Sequence, residues 1–470
     1  MGTAVIIGGG PTGLATAMLL ARRGLEAVVL DRDPPAPHQV TEAWDAWARR
    51  SVSQFRQVHF LQPAGKALLD EHLPAVVAEL DAAGVRSVNL TASMADLLPD
   101  GPGDIDFSAF ETRSTCRRPV LEFAFVNAAR STAGVEVRSD TAVTGLLTGP
   151  SALDAVPHVI GVVSGSGEEI RADVVVDAAG RRTPVPGLLE AIGAARPVER
   201  VEDAGFVYNT RYYRGPAAPE YRGDALAAIG SISVLTMPGD DDYWSVTIYH
   251  SPKDRAMRKI RDPEVFDRVV RSLPLQAHWA DGRGDDEVRS MASSANTTRS
   301  YVVDGVPCAT GLLPVGDAWG FTNPSLGRGI TFALKHAVPV ADAIADHLDR
   351  PADLAVAWDR ATEADAAPWH EATVAFDRIR GPEVEAYRQG LPDPHDPDDL
   401  AVAGARAFGS ASHYDAQVLQ WFGEVSGCLA LPDEVVARPG AFERVLDVAL
   451  ANPPYATPGP TRSELEDLLV

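Results

Sequence analysis

Two short apolar runs near the beginning of the chain, residues 4–7 and 27–30, flank a segment in which apolar residues recur with helical spacing. The helical positions on the packing face are Leu14, Ala17, Leu20 and Ala21. Continuous apolar runs of this length are typical of strands that are buried on both faces, whereas a period of about 3.6 residues is typical of a helix. The pattern therefore predicts a strand–helix–strand unit whose two strands are parallel.

The rest of the chain divides into regions of different pattern. Apolar residues with helical spacing predict helices at 64–83, 119–131, 263–273 and 329–348. Short apolar runs predict strands at 135–138, 142–147, 158–164, 169–172 and 173–177. Alternating, aromatic-rich runs predict an antiparallel sheet at 206–213, 229–237 and 243–249. The expected fold class is α/β, with an inserted antiparallel sheet and a helical C-terminal tail.

Three glycines with Gly-x-Gly-x-x-Gly spacing, Gly8, Gly10 and Gly13, lie between the first predicted strand and the helix. Glycine permits a tight turn and a close approach of the backbone to a pyrophosphate, which then lies against the free N–H groups of the helix N-terminus. Asp31 follows the second strand, where a carboxylate accepts hydrogen bonds from ribose hydroxyls and repels a 2′-phosphate. The pattern predicts an FAD or NAD site formed by Gly8, Gly10, Pro11, Thr12, Gly13, Asp31 and Arg32.

Composition and charge exclude several classes of protein. The chain has 470 residues, of which 45% are hydrophobic, and a formal net charge of −23 from 65 acidic and 42 basic residues. No basic stripe is present that would neutralise nucleic-acid phosphates, and no apolar run approaches the roughly 20 residues of a membrane span. We therefore expect a cytoplasmic protein without a nucleic-acid partner, a targeting leader or a membrane span.

The cysteines and histidines indicate neither a disulfide framework nor a metal site. Cys116, Cys308 and Cys428 are far apart and lack a Cys-x-x-Cys spacing, and none of the 11 histidines forms a His-x-x-x-His pair. We expect the cysteines to be buried as small apolar side chains in a reducing compartment, and we expect no metal.

Three further segments, read together with the glycine motif, resemble the FAD-dependent monooxygenases of the para-hydroxybenzoate hydroxylase fold. The segments contain Arg118-x-x-Leu-Glu, Gly316-Asp317 and Asn-Pro324-x-x-Gly327-x-Gly329. The resemblance implies that Arg118 lies beside FAD, that Asp317 accepts a hydrogen bond from a ribitol hydroxyl, and that the helix after Gly329 points its N-terminus at the flavin ring. The predicted FAD-binding set is completed by Val143, Gly316, Pro324 and Gly327.

The resemblance implies a Rossmann-like FAD-binding domain that is interrupted by a substrate domain. The expected FAD-binding domain comprises 1–75, 110–195 and 296–348, the substrate domain comprises 76–109 and 196–295, and 349–470 form the helical C-terminal region. Where many single-component members of the family have Asp-Gly, this chain has Asp177-Ala178. Electrons are therefore expected from NADPH or NADH, either directly or through a separate flavin reductase.

A finer resemblance concerns residues 52–61, which look like a segment of squalene-epoxidase-like bacterial enzymes that act on polyether precursors. Residues 201–211 are similar to a strand of the substrate domain of those enzymes. The catalytic residues stay unassigned, but the first segment makes Arg56 and His59 candidates for contact with the flavin edge or the substrate. A surface arginine and a core histidine are the structural alternatives.

The resemblance as a whole implies a flavin-dependent monooxygenase. In this class reduced FAD reacts with O₂ to form a C4a-hydroperoxide, which transfers one oxygen atom to an apolar or aromatic natural-product substrate by epoxidation or hydroxylation. Two alternatives stay open: a geranylgeranyl-reductase-like enzyme that saturates isoprenoid double bonds, and a flavin-binding protein without turnover. A halogenase is disfavoured because the Trp-x-Trp-x-Ile-Pro motif is absent from the sequence.

Overall fold

The computed structural model describes residues 2–115 and 117–470, so Cys116 lies outside the described residues. The strands, in chain order, are β1 (Thr3–Ile7), β2 (Glu26–Leu30), β3 (Arg86–Val88), β4 (Thr112–Ser114), β5 (Val135–Arg138), β6 (Val143–Gly149), β7 (His158–Ser164), β8 (Glu169–Arg171), β9 (Val174–Asp177), β10 (Val198–Arg214), β11 (Leu226–Ile229), β12 (Ile232–Pro238), β13 (Tyr243–His250), β14 (Arg283–Gly284), β15 (Arg289–Ser300), β16 (Val302–Val303), β17 (Val306–Pro307), β18 (Leu312–Pro314) and β19 (Gly320–Phe321).

The α-helices of the described residues are α1 (Pro11–Arg22), α2 (Val40–Ala43), α3 (Pro63–His72), α4 (Pro74–Ala82), α5 (Leu90–Ala95), α6 (Arg118–Arg130), α7 (Val185–Ala191), α8 (Pro263–Arg271), α9 (Gly329–His347), α10 (Pro351–Asp365), α11 (Ala367–Gln389), α12 (Leu400–Ala411), α13 (Ala416–Ser426), α14 (Pro432–Val436), α15 (Ala441–Ala451) and α16 (Arg462–Leu468).

The predicted strand–helix–strand unit forms the centre of a five-stranded parallel sheet with the order β18–β9–β1–β2–β5. β1 is paired on both sides, with Ile7 opposite Leu30 of β2 and Asp177 of β9. Its apolar residues are buried because α1, α6 and α9 pack around the sheet. Since the strands are parallel, their carboxyl ends share one edge of the sheet, where ligands of open α/β folds bind.

The predicted antiparallel sheet is confirmed, with the order β11–β12–β13–β10–β15–β19 and β14 pairing with β10. Side chains alternate between its two faces, as the two-residue period of a strand requires. On β13, Val246 and Ile248 join a core that includes Phe266 of α8. Thr247 and Tyr249 point to the other face, toward the parallel sheet. The α/β fold class and the helical C-terminal region are also as predicted.

Two predicted elements are each divided in the structure. The helix predicted at 64–83 is two helices, α3 and α4, which separate at Leu73 because Pro74 lacks an N–H group and disfavours a helical residue before it. The run at 229–237 is not one strand, because β11 and β12 are joined by a tight turn at Gly230, whose φ of 52° suits glycine. Both corrections follow from local backbone chemistry.

The C-terminal helices pack against both sheets. Trp358 of α10 donates from Nε1 to the carbonyl oxygen of Pro314 at 2.9 Å, and Arg380 of α11 donates to the carbonyl oxygen of Ile232 at 2.8 Å. The domain boundaries stay a prediction. Val76 of α4, expected in the substrate domain, lies in the core of the parallel sheet.

Among the described residues, no helix is both long and apolar enough to cross a membrane, and no group of three or more His, Cys, Asp or Glu residues could hold a metal ion. Cys308 and Cys428 are buried free thiols, as the sequence predicts for them.

Candidate cofactor and substrate site

A cavity of about 480 Å³ lies between the carboxyl edge of the parallel sheet and the antiparallel sheet. The predicted FAD-binding residues that line it are Gly8, Gly10, Pro11, Thr12, Asp31, Arg32, Arg118, Val143, Asp317, Pro324, Gly327 and Gly329. The fold thus brings the glycine motif, the Arg118 segment and the Gly-Asp loop to one place.

The other two predicted residues, Gly13 and Gly316, lie behind the cavity wall. A Cβ atom on Gly13 would lie 2.0 Å from the Gly8 carbonyl oxygen, and one on Gly316 would lie 2.9 Å from the Thr12 side chain. Gly316 also has a φ of 61°, which glycine adopts without strain. Both glycines permit close packing of the backbone that shapes the wall.

The N-termini of α1 and α9 border the cavity at Gly10 and Gly329. A Cβ atom on either glycine would meet no other atom within 4 Å, so the space beside both backbones is open. N–H groups in the first turn of a helix have no partner within the helix and carry partial positive charge. This cradle fits a dinucleotide with negatively charged phosphates, such as FAD.

Asp31 belongs to a buried network of charges centred on Arg49, a residue that the sequence patterns did not indicate. The Arg49 guanidinium pairs with Asp31, with Asp33 at 3.4 Å and with Glu122 at 2.5 Å. Glu122 also accepts a hydrogen bond from Arg118 Nε at 2.5 Å. Burial alone would raise the pKa of Glu122, but Arg118 and Arg49 hold it below its usual range. The network therefore fixes the position of Arg118 at the cavity.

The Asp31 carboxylate can accept a further hydrogen bond from a ligand. One oxygen accepts from the Asp33 N–H at 3.0 Å and the other from Arg49. Burial raises the pKa of Asp31, and Arg49 opposes that shift. Because a carboxylate has about four lone-pair sites, a ribose hydroxyl can also donate to Asp31.

His59 lines the cavity as a neutral imidazole. Its Nδ1 lies 3.0 Å from the carbonyl oxygen of Gln57 and therefore carries the proton, so Nε2 accepts a hydrogen bond from Arg118 at 2.9 Å. Burial, together with the charge of Arg118, lowers the pKa of His59 to about 3. Both ring nitrogens are thus engaged at neutral pH, and His59 orients Arg118.

Arg56, the other catalytic candidate, does not line the cavity. Its guanidinium donates to the carbonyl oxygen of Trp47 at 2.8 Å and lies over the Trp44 ring. The neighbouring Gln57 lies at the cavity wall, where its Oε1 accepts from the Thr210 hydroxyl at 2.7 Å. The sequence did not indicate Gln57, since a lone amide has no motif that predicts which way it points.

The turn after β9 shows what replaces the Asp-Gly motif. The buried Asp177 carboxylate accepts from the Ala179 N–H at 3.0 Å and from the Thr183 hydroxyl at 2.6 Å. Burial raises the pKa of Asp177 to about 6. The Ala178 carbonyl oxygen lies 2.5 Å from where a Cβ atom on Gly8 would be, so the turns after β9 and β1 pack backbone against backbone.

Arg181, also missed in the sequence, connects this turn to the Gly-Asp loop. Its Nε donates to Asp317 at 3.2 Å, and its guanidinium donates to the carbonyl oxygen of Thr322 at 3.2 Å. The guanidinium also lies over the Phe321 ring. Arg181 therefore places the Asp317 carboxylate at the cavity.

The antiparallel sheet forms the opposite wall, which is mainly apolar and aromatic. Its lining residues are Tyr208, Leu235, Thr247, Tyr249, Met291, Ala292, Ala295 and Phe321. Burial raises the pKa of Tyr208 well above its ordinary value and that of Tyr249 to about 12, so both hydroxyls are protonated at neutral pH. This wall suits an apolar or aromatic ligand beside the dinucleotide cradle.

An open recess of about 630 Å³ adjoins the dinucleotide end of the cavity. It is lined by three exposed arginines, Arg32, Arg50 and Arg182, and also by Asp33 and Asp140. None of the three arginines forms an ion pair within 4.0 Å in the part of the chain that the structure describes. Guanidinium groups in this arrangement attract phosphate in an otherwise acidic protein.

Comparison with known families identifies the family of the chain. Residues 2–369 match the model of a family described as an FAD binding domain. The chain belongs to this FAD-binding family. The match includes the glycine motif, the Gly-Asp loop and the antiparallel sheet between them, and it confirms the resemblance to hydroxylase-fold flavoproteins and the prediction of FAD.

Individual proteins are similar to the chain at lower identity. Protein Rv3254 of Mycobacterium tuberculosis is 27% identical in an alignment of 398 residues that covers 78% of this chain and 78% of that protein. PqsL of Pseudomonas aeruginosa, described as a probable FAD-dependent monooxygenase, has a TM-score of 0.61 at 17% identity and covers 82% of this chain and 97% of its own. OxyS anhydrotetracycline hydroxylase from Streptomyces rimosus has a TM-score of 0.58 at 17% identity, with coverages of 92% and 76%. These two structures show a shared fold.

Proposed function

We propose that this chain is an FAD-dependent monooxygenase that transfers one oxygen atom from O₂ to an apolar or aromatic small molecule, by epoxidation or hydroxylation. The observation that carries the proposal is a single cavity in which the dinucleotide cradle meets the aromatic wall of the antiparallel sheet. Bound FAD would supply electron transfer and oxygen activation. The names of PqsL and OxyS support this class of reaction.

The chain would hold FAD with residues from several elements. N–H groups at the N-terminus of α1 would bind the pyrophosphate, and Arg118 is the nearby guanidinium donor. Asp31 would accept from a ribose hydroxyl and Asp317 from a ribitol hydroxyl. The N-terminus of α9 at Gly329 would stabilise negative charge on the reduced ring.

The substrate wall favours a molecule that needs no deprotonation by the protein. Among the described residues that line this wall, the groups able to titrate are Tyr208 and Tyr249, and His59 lines the same cavity from outside the sheet. His59 is neutral with both nitrogens bonded, and the two tyrosines hold their protons at neutral pH. An electron-rich alkene, or an aromatic ring that is already activated, meets this condition.

The electron donor is proposed to be NADPH or NADH, used directly or through a separate reductase. The recess of Arg32, Arg50 and Arg182 supports direct use, because it offers phosphate-binding groups beside the cradle.

A halogenase is less consistent with the site. Flavin-dependent halogenases carry a halogenating lysine, but Lys66 lies on α3, where it pairs with Asp70 at 2.6 Å, and no lysine is found among the described residues that line the cavity.

The test begins with the flavin spectrum of the purified chain. We expect bound FAD that is bleached by NADPH or NADH under argon, alone or after addition of a flavin reductase, and that is reoxidised by air. With ¹⁸O₂ and the probes styrene, indole and geraniol, a coupled product is expected to carry one labelled oxygen. Without a substrate, the electrons should appear as hydrogen peroxide.

Three outcomes would contradict the proposal. A flavin spectrum that shows no FAD bound to the purified chain would contradict the cofactor site on which the proposal rests. Saturation of geraniol under argon, with reoxidation of the flavin, would identify a reductase of isoprenoid double bonds. Flavin that stays oxidised with every donor would identify a binding protein without turnover.

A further inference from the structure

Asp377 lies on α11, in the C-terminal helical region, and is only 3% exposed. Its carboxylate accepts hydrogen bonds from the Ser325 hydroxyl at 2.8 Å, from Asn296 Nδ2 at 3.2 Å and, at the longer distance of 3.5 Å, from Asn323 Nδ2. Ser325 and the preceding Pro324 line the cavity just before the N-terminus of α9. A residue outside every FAD-binding motif therefore holds a loop at the cavity.

The hydrogen bonds around Asp377 continue through the two asparagines to the substrate wall. Asn323 Oδ1 accepts from the Tyr208 hydroxyl at 2.6 Å, and the Asn323 N–H donates to Asn296 Oδ1 at 2.6 Å. Both asparagines and the tyrosine are buried. One chain of hydrogen bonds thus joins α11, the 323–325 loop and β10.

The charge of Asp377 determines how the two amides are oriented. An ionised carboxylate only accepts hydrogen bonds, so Asn296 and Asn323 turn their Nδ2 groups toward it. Their Oδ1 atoms then face the Asn323 N–H and the Tyr208 hydroxyl. An amide at position 377 would bring its own N–H donors against these Nδ2 groups, and the network would have to rearrange.

Burial raises the pKa of Asp377 to about 6, against the opposing effect of its hydrogen bonds. The carboxylate is therefore ionised at neutral pH, as this arrangement of donors requires. Asp377 itself is not among the residues that line the cavity, so its effect reaches the cavity through Asn323, Ser325 and Tyr208.

We propose that Asp377 is a positioning residue of the reaction site, which holds the 323–325 loop against the flavin ring and, through Asn323, orients Tyr208 in the substrate wall. The inference rests on the proposed function, because it assigns the ring of FAD to the end of the cavity near α9. It makes the C-terminal helices part of the active site.

The test compares D377N, Y208F and the double variant in the full-length chain. Visible circular dichroism of bound FAD reports the surroundings of the ring. Hydrogen peroxide released per NADPH or NADH oxidised, in the presence of whichever of styrene, indole and geraniol the wild type converts, reports coupling. We expect D377N to fold, to bind FAD about fivefold more weakly at most, to show an altered flavin spectrum and to release more peroxide. Y208F should have a smaller effect, and the double variant should resemble D377N.

The matched control is E371Q, on the same helix. Glu371 pairs with Arg378 at 2.6 Å on the protein surface and has no described hydrogen bond or ion pair to the 323–325 loop, so this variant should match the wild type in both measurements. A D377N spectrum equal to that of the wild type would overturn the proposal, as would additive effects of D377N and Y208F.

A further variant covers the case in which D377N is not recovered as folded protein. S325A removes the shortest of the three hydrogen bonds from the loop side and should shift the flavin spectrum in the same way, so a wild-type spectrum of folded S325A would overturn the proposal. The dichroism needs bound FAD but no oxygen transfer. A chain that binds FAD without monooxygenase activity would contradict the proposed function and leave the spectral test of Asp377 valid.

Discussion

Gly10 and Gly13 belong to one motif, but the space beside their α-carbons differs. A Cβ atom on Gly13 would lie 2.0 Å from the Gly8 carbonyl oxygen, whereas one on Gly10 would meet no atom within 4 Å. Gly10 has a φ of −82°, which alanine adopts without strain. Gly13 is therefore required for packing α1 on β1, and Gly10 for the open space of the cradle.

This difference predicts two distinct phenotypes. G10A should fold with wild-type stability but bind FAD at least about tenfold more weakly, because its methyl group enters the space of the pyrophosphate. G13A should lose both stability and FAD binding, because α1 has to move away from β1. Thermal unfolding of the apoproteins and fluorescence titration with FAD separate the two effects. An unchanged FAD affinity of G10A would show that the pyrophosphate binds elsewhere.

At the scale of secondary-structure elements, His336 connects the Gly-Asp loop to α9 and α10. The Gly316 N–H donates to Nδ1 at 3.2 Å, so Nε2 carries the proton and donates to the Thr362 hydroxyl at 2.9 Å. That hydroxyl donates to the carbonyl oxygen of Trp358 at 2.8 Å. Burial lowers the pKa of His336 to about 3, which keeps the ring neutral. The helices after the FAD motifs thus stabilise the loop that carries Asp317.

Removing the acceptor at this position should destabilise the chain. H336F leaves the buried Gly316 N–H without a partner, which is expected to lower the free energy of unfolding by about 1–3 kcal/mol and to weaken FAD binding. H336Q is the matched control, because its amide has both an acceptor and a donor. Denaturant unfolding of the three proteins is the measurement, and equal stability of H336F and the wild type would argue against the connection.

At the scale of the whole molecule, buried titratable groups make stability depend on pH in opposite directions. Burial raises the pKa of Asp177 to about 6 from 3.8, so its contribution to stability is complete below about pH 4 and is lost as the pH rises through 6. Burial lowers the pKa of His336 to about 3 from 6.5, so its contribution is present above about pH 6.5 and is lost as the pH falls.

Substitutions should separate these two opposite dependences of stability on pH. Relative to the wild type, D177N is expected to gain up to about 3 kcal/mol of stability between about pH 4 and pH 8, because the wild-type carboxyl must ionise in a buried site over that range. H336Q should show the opposite trend, with its relative gain at low pH. Unfolding midpoints of the wild type, D177N and H336Q, measured across this range, test both expectations. A difference in stability between D177N and the wild type that does not change with pH would contradict the pKa shift assigned to the burial of Asp177.

The sequence by itself determined the features whose signals are local. Gly8, Gly10 and Gly13 in a strand-to-helix turn, followed by Asp31, predict a dinucleotide site because each has a steric or hydrogen-bonding role within one unit. The alternation of apolar and aromatic residues predicted the antiparallel sheet, because strand side chains alternate between faces. Pro74 carried the local signal for the division between α3 and α4, although the apolar period continued across it.

Only the tertiary structure decided which side chains meet at the cavity. Gln57 rather than Arg56 faces it, Arg49 joins Asp31 to Glu122, and the sequence separation between Asp377 and Ser325 is 52 residues. Such contacts depend on how whole helices and sheets pack, because their energy comes from burial and pairing of groups that have no periodic or sequential relation. A motif can therefore predict the cofactor, whereas the walls that orient a substrate are determined by packing.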